Sequence, residues 1–563
     1  MQLIKKYKYL EIVLMIAILF FAAFLYFYKL DKVPSGFYVD EAAPAYNAYS
    51  ILTTGKDEYG KKFPILFRSM GLYLTPIYTY LSIIPIKVFG LNVFSSRVVS
   101  VTSGVLSSIV LFAFLKNVKS IKNKHTAVIS TLIFVITPWI FFYSRIGYEI
   151  SLAYLFVSLV ILFLWLSLSK PQYLLIALVV ASISTYSGFM ARYFIPLLFL
   201  IFALFFRSKI FQKRNKKYLL TGLVIAFLIQ FPHLLIFNTP AFFLKSDLVG
   251  FGQITSQAHK LSNILFFPLN LIFAFSREFL ANYISYFSFK SLFFLPDPDM
   301  QRSIPDLSTF YPWMLPVFLL GIYALIKSKD NNFRKFVLLI LFVSPIPASI
   351  TRDPFATHRA IIMLFPIAII MSMGIDWVIF KYKVKVTLLL IGLLVCFSLF
   401  TLWRSYFVLY ANERSKVSGY GFNQLAEIIN SNPDEHFLID QSRIKPSYIE
   451  LAFYLKLDPN KFQATSGENI KQNYYTNTNF DDRYKIANIE TRTINWESDI
   501  YIDQIIVGDN LAISDNQAKE HFLTKEFEIK DLIYETVFVG YKTNPKEKCA
   551  KQLIKSIYCS NAK

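Results

Sequence analysis

Charge is scarce in this chain. Only 17% of its 563 residues are Asp, Glu, Lys or Arg, against about 25% in a typical soluble domain, which argues against a wholly water-soluble protein. Cysteine is nearly absent, with three residues, and none sits in the Cys/His spacing of a zinc site. No P-loop and no Gly-rich dinucleotide fingerprint occurs, which argues against ATP-driven transport by this chain alone. Long internal repeats and low-complexity tracts are also missing.

What the chain has instead is apolar length. Hydrophobic residues make up 55% of it and the mean hydropathy is +0.45. They come in blocks close to the roughly 20 residues that cross a bilayer as a helix. The blocks lie near 9–28, 95–115, 126–143, 150–168, 172–189, 194–207, 218–237, 312–327, 335–350, 359–380 and 386–408. Shorter blocks at 78–90 and within 261–295 read as interfacial or partly inserted helices. The first block exceeds a signal-peptide core and lacks a small-residue cleavage site, so it reads as a retained span. The expected fold is an all-α polytopic membrane protein of about 11 transmembrane helices.

The net charge of +21 follows topology rather than a nucleic-acid partner. One set of loops holds Lys5, Lys6 and Lys8, then Lys116 to Lys124, Arg207 to Lys217, Lys327 to Lys335, and Lys381, Lys383 and Lys385. The alternate loops hold Asp40, Glu41, Glu149, Asp297 and Asp353. Basic loops stay on the cytoplasmic side, so the N-terminus reads as cytoplasmic and the acidic loops as facing outward across the cell (plasma or inner) membrane. Tyr and Trp at the span ends, among them Tyr26, Trp139, Tyr143 and Tyr311, read first as an interfacial belt.

Composition changes at about residue 410, dividing the chain into a membrane domain (1–409) and an extracytoplasmic tail (410–563). In the tail, 423–430 and 448–455 read as helices, while 437–440, 500–507 and 533–541 read as strands. These elements make a small α/β domain. Cys549 and Cys559 lie in it, where a bridge is permitted; a disulfide and two free thiols both fit. Cys396, inside a span, reads as a packing residue.

The chemistry concentrates in outward loops. In the first, 29–95, Asp40 and Glu41 stand side by side just past the first span. Adjacent carboxylates at a membrane boundary are costly unless they have a task. Asp40 can cap the helix expected over 42–52 or act as a base. Hard cations prefer oxygen ligands, so the pair could also hold a divalent ion, although no cofactor or metal is firmly implied. In the second loop, Arg145 and Glu149 have the i,i+4 spacing of a helical ion pair; alternatively Glu149 joins Asp40 as a further carboxylate. Arg97, Arg192, Arg302, Arg352 and Arg359 each suit a headgroup anchor, and together, with Arg145 as a further candidate, a phosphate clamp. His358 could add a donor or be an ordinary interfacial histidine. A further outward loop spans 238–311.

The stretch "GFYVDEAAPAYNAYSILTTGKDEYGKKFPILF", followed by "TPIYTYL" and "VFGLNVFSSRVVS", resembles bacterial protein-mannosyltransferase-like enzymes. These include the aminoarabinose transferases and related membrane glycosyltransferases of the GT-C fold, family 39 type. The resemblance continues through "YSRIGYEISL", "LPDPDMQRSIPDLSTFYPWMLPVFLLGI" and "SPIPASITRDPFATHRAIIMLFPI", covering roughly residues 10 to 400. It implies transfer of a hexosyl or pentosyl unit from a polyprenyl-phosphate donor, with inversion, to an outer-face acceptor: protein, lipid or surface glycan. It also implies Asp40 as catalytic acid/base position, Glu41 as its partner and Glu149 as the second-loop acidic site. Phosphate binding would fall to Arg302 and Arg359 first, with Arg97, Arg145, Arg192 and His358 as further candidates. The chemistry agrees: an oxocarbenium-like transition state with an acceptor proton to remove, and a leaving phosphate whose charge arginines can meet. Two other readings use similar residues, a flippase for lipid-linked sugars and an O-antigen ligase or polymerase.

Overall fold

The structure is a computed structural model. It describes residues 2–123, 125–251, 254–382, 384–443, 447–480, 484–551 and 556–561; Lys124 and Lys383 of the basic loops lie outside them. Among the described residues, seven helices are long and apolar enough to cross a membrane, or eight when the pair Thr126–Val135 and Pro138–Ser144, bent by 56°, counts as one. The bend has a local cause, because Pro138 offers no N–H to continue the first helix. Three more expected spans are apolar helices of shorter length, Gln172–Ser184, Phe189–Phe205 and Met314–Ile326. The expected interfacial blocks become Pro76–Phe89 and Leu269–Ser285.

Two helices of the membrane domain meet through glycine. A Cβ on Gly321 of Met314–Ile326 would strike the Ile370 carbonyl, and one on Gly374 of Leu364–Lys381 would strike the Val317 carbonyl. Small residues let helix backbones approach this closely inside a membrane. The aromatic belt is in part a core instead. Tyr26, Trp139, Tyr143 and Tyr311 are all buried, with Tyr26 donating to the Val135 carbonyl at 2.8 Å and Tyr311 to the Ile136 carbonyl at 2.9 Å. Each tethers another part of the domain to the kinked 126–143 block, since a buried hydroxyl needs a partner. Cys396 is exposed on the outside of its helix rather than packed.

The tail carries a six-stranded sheet. Numbering the strands along the chain, β1 (Phe67–Ser69) and β2 (Leu72–Leu74) form a hairpin in the first outer loop. The tail contributes β3 (Phe437–Ile439), β4 (Tyr484–Ile486), β5 (Ile489–Thr491), β6 (Ile505–Gly508), β7 (Thr524–Lys530) and β8 (Thr536–Lys542). Their order is β4-β5-β3-β6-β8-β7, with β3 parallel to both β5 and β6. Helices Phe422–Ser431 and Tyr448–Tyr454 fall where expected. The 500–507 run divides, giving a 3₁₀ turn at Asp499–Tyr501 before β6. Cys549 and Cys559 are bonded, with Cα atoms 5.7 Å apart.

The tail and the first outer loop share a core. Phe37, Ala42, Tyr46 and Phe67 pack with Tyr448, Phe453, Phe462 and Tyr484; Phe37 and Phe453 stack at 4.3 Å. A strap of tail residues then crosses the hairpin. Buried Arg68 donates to the carbonyls of Asn477 and Asn479, and the Tyr474 hydroxyl donates to buried Asp57. Gly71, at φ 73°, lies under this strap, where a Cβ would come 2.6 Å from the Asn479 carbonyl.

The glycine contact makes a direct prediction. Gly321→Val should cost about 1–3 kcal/mol or more, because an overpacked helix contact cannot relax without separating the helices. A thermal-stability scan of the purified protein in detergent should show a clear fall in midpoint; an unchanged midpoint would contradict the close packing.

Candidate active site

The helix Val39–Thr54 begins just after the chain leaves the first span, so Asp40 and Glu41 occupy its first turn. Carboxylates are favoured there by the helix dipole. Successive helical residues point about 100° apart, and the two acids face different surroundings.

Glu41 is fully inside, 1% exposed. Its Oε1 accepts from Arg97 Nε at 2.8 Å and from the Gly147 amide at 2.6 Å. Its Oε2 accepts from Arg97 Nη2 at 2.9 Å and from the Tyr38 amide at 3.4 Å. Glu41, not Asp40, therefore serves the free N–H groups at the helix start. Arg97 spends its other donors on the carbonyls of Leu30, Pro34 and Gly36.

Asp40 lines a broad cavity open to solvent. Among the described residues no donor reaches its carboxylate. Burial pushes that carboxyl up to about 6; Lys245 opposes the shift, while Glu149 and Glu41 add to it. A carboxylate unpaired and raised toward neutrality is suited to accept a proton.

The cavity gathers the expected residues Asp40, Glu41, Glu149, Arg302, Arg352, His358 and Arg359. Arg302 lies among acids, 3.6 Å from Asp297, 3.2 Å from Asp299 and 3.5 Å from Asp353, and 3.3 Å from His358 Nδ1. Burial works against its charge, but these acids outweigh it and hold the guanidinium above its ordinary range. Arg359 pairs with Asp353 at 2.9 Å and donates to Thr351 Oγ1 at 2.8 Å. Asp297 accepts from the Thr357 amide and hydroxyl at 3.0 and 2.8 Å, which fixes the start of the helix that presents His358 and Arg359.

The other three arginines lie away from the cavity lining. Arg145 does not pair with Glu149; it donates to the carbonyls of Leu25, Tyr26, Tyr28, Lys29 and Val33, closing the C-terminal end of the first span. Arg192 donates to the Phe242 carbonyl. Two residues escaped the sequence reading, and a third, Arg352, is among the outward arginines grouped there as a phosphate clamp. Lys245 stands 3.7 Å from Glu149, Arg352 lines the cavity, and Glu450 of the tail is buried beside the Asp40 helix. Burial pushes the Glu450 carboxyl up to about 8, its own backbone N–H opposing and the Asp40 charge adding. Lys245 had no motif around it; only its position in an outward loop could have singled it out. Among the described residues no three His, Cys, Asp or Glu side chains converge as a metal-binding group, and Glu41, one half of the acidic pair, is already committed to Arg97.

A second, apolar groove of about 670 Å³ runs into this cavity. Ala153, Val157, Phe189, Ile361 and Ile362 line it, and Glu149, Lys245, His358 and Arg359 border both spaces.

Residues 74–236 match the family described as dolichyl-phosphate-mannose-protein mannosyltransferase. No curated protein matches the chain. Among solved structures, ArnT from Cupriavidus metallidurans bound to undecaprenyl phosphate is similar, at TM-score 0.52 and 12% identity. The match covers 94% of this chain and 97% of that one. The chain has the GT-C fold. Apo ArnT from the same organism aligns at 0.43 with 13% identity, over 94% of this chain and 97% of that one. The oligosaccharyltransferase AglB from Archaeoglobus fulgidus, in complex with an inhibitory peptide and a dolichol-phosphate, aligns at 0.46 with 14% identity, over 78% and 63%.

The two acids should separate in a stability measurement. Glu41→Ala leaves the buried Arg97 without its anion and should cost about 3–5 kcal/mol. Asp40→Asn, which breaks no hydrogen bond, should stay within about 0.5 kcal/mol. Thermal midpoints of the two variants in one detergent check this; equal losses would contradict the division of labour.

Proposed function

We propose that this protein transfers a sugar from a polyprenyl-phosphate carrier to an acceptor hydroxyl or amine at the outer face of the membrane. The observation that carries the reading is the meeting of an apolar groove with a polar cavity at Glu149, Lys245, His358 and Arg359, with the unpartnered Asp40 in that same cavity. A lipid phosphate needs that combination, a tail slot ending at cations. ArnT, whose fold is similar, is known bound to undecaprenyl phosphate, which supports a carrier of that class.

The donor's isoprenoid chain lies in the groove and its phosphate meets Lys245, Arg302, Arg352 and Arg359. Lys245, Arg302 and Arg359 are already drawn toward Glu149, Asp297, Asp299 and Asp353, so the acids hold them in position before the donor arrives. Asp40 takes the proton of the acceptor as its oxygen or nitrogen attacks the anomeric carbon. The bond from that carbon to the phosphate oxygen breaks, and the cations receive the charge that develops on the leaving phosphate. One displacement inverts the anomeric centre, and no covalent carboxylate intermediate is required. Glu41 acts by holding the Asp40 helix on Arg97, and Glu149 by holding Lys245.

The charge distribution of the loops supports an outer-face site. With Lys116, Lys119, Lys122 and the Lys327–Lys335 loop on the cytoplasmic side, the cavity and the tail face outward across the inner or plasma membrane. Labelling of a cysteine placed at Asn510 with a membrane-impermeant reagent should succeed on intact cells.

Turnover should follow the Asp40 proton. In the ligand-free protein its carboxyl is pushed up to about 6 and it works only when deprotonated, so kcat/KM should be level above that pH and fall tenfold per unit below it. Asp40→Asn should lower kcat by about 10²–10⁴-fold with carrier binding retained. A panel of polyprenyl-phosphate sugars and purified protein tests both; undiminished turnover in the variant would reject Asp40 as the base.

A further inference from the structure

Lys245 reaches the catalytic cavity from a short helix, Pro240–Val249, and the way that helix is tied down is unusual. Arg192 is 7% exposed with no carboxylate against it among the described residues. Its Nη1 donates to the Phe242 carbonyl at 3.2 Å, and two of its nitrogens, Nε and Nη2, have no partner. A buried guanidinium without an anion is costly, so its remaining contacts matter. They are aromatic: its Cζ lies 4.4 Å from the Phe242 ring centre and 4.8 Å from that of Phe189. Lys245 Nζ lies 4.6 Å from the same Phe189 ring. One ring, itself lining the apolar groove, thus receives both cations, a contact worth about 0.5–2 kcal/mol for each.

The spacing explains the link. Phe242 and Lys245 are three residues apart, one turn of one helix face, so fixing Phe242 fixes the direction of Lys245. His233 supports the joint, meeting Phe242 edge-on at 5.6 Å while it stacks on Tyr186 at 3.7 Å. At the far end of the helix the Val249 carbonyl accepts from the Arg352 amide at 2.9 Å, beside the Thr351 that holds Arg359.

We infer that Arg192 is a positioning residue for the donor phosphate, acting through Phe242 and Phe189 to set Lys245 at the junction of groove and cavity. It rests on the reading of that junction as the donor site. Arg192 touches neither phosphate nor acceptor. Because the Phe189 ring is also groove wall, a lipid chain seated against it bears on both cations, so tail occupancy and phosphate grip are linked through one side chain.

The test is a double-mutant cycle on full-length protein in detergent, read as the affinity for undecaprenyl monophosphate alone, which involves neither sugar nor acceptor. Lys245→Ala should weaken binding by about tenfold, the size of one charge-assisted contact. Arg192→Ala should weaken it by several-fold, and the double variant no further than Lys245→Ala, since the removed charge has nothing left to position. Arg192→Lys, which keeps a cation over the rings, should recover part of the loss, and thermal midpoints identify any variant that is merely unfolded. Independent, multiplying losses would overturn the positioning role while leaving the donor site standing. Full binding by Lys245→Ala would instead remove Lys245 from the donor site, and the inference with it.

Discussion

The buried pair of Glu41 and Arg97 is the joint on which the outer half of the molecule turns. Four donors converge on one carboxylate, and the guanidinium that supplies two of them also gathers three carbonyls from the segment between the first span and the Asp40 helix. This ties the first span, the first outer loop, the Val93–Lys116 span and the second loop at Gly147 to one point. Two opposite charges removed from water hold together only when nearly every lone pair and N–H is used, and here they are. Asp40, one residue away, gains a fixed position without being bonded itself.

That separation of roles runs through the whole site. Glu41 holds the helix, while Asp40 stays unpaired in the cavity. Arg97 and Arg145 serve backbone carbonyls at the exit of the first span, while Arg302 and Arg359 stand in the cavity with acids of their own. The tail completes the enclosure: its helix Tyr448–Tyr454 packs on the Asp40 helix, and Phe480 lines the cavity beside the β1–β2 hairpin. The sequence division at residue 410 is a change in solvent, from lipid to water, and not a break in packing.

Much of the fold was legible. Every expected span falls on helical residues, the 126–143 block on two helices set at 56°, because a chain in lipid must satisfy its backbone internally and a helix does so within one segment. The acidic pair was legible too, since charge beside an apolar run is costly enough to stand out. The arginines were harder. An outward arginine in a loop has the same sequence appearance whether it meets a phosphate or a helix end. Lys245 and Glu450 had no appearance at all: one depends on Arg192, fifty residues earlier, and the other on a helix four hundred residues from Asp40.

Sequence alone therefore determined the solvent, the helical class, the candidate side of the membrane and the candidate residue for the chemistry, Asp40. These follow from transfer energies, which are properties of residues and short runs. Only the tertiary structure decided which charges meet. Glu41 finds Arg97 rather than a substrate, Arg145 finds carbonyls rather than Glu149, and Lys245 finds Glu149. Such pairings are set by how distant spans pack, and a buried charge takes whichever partner that packing brings within hydrogen-bond reach.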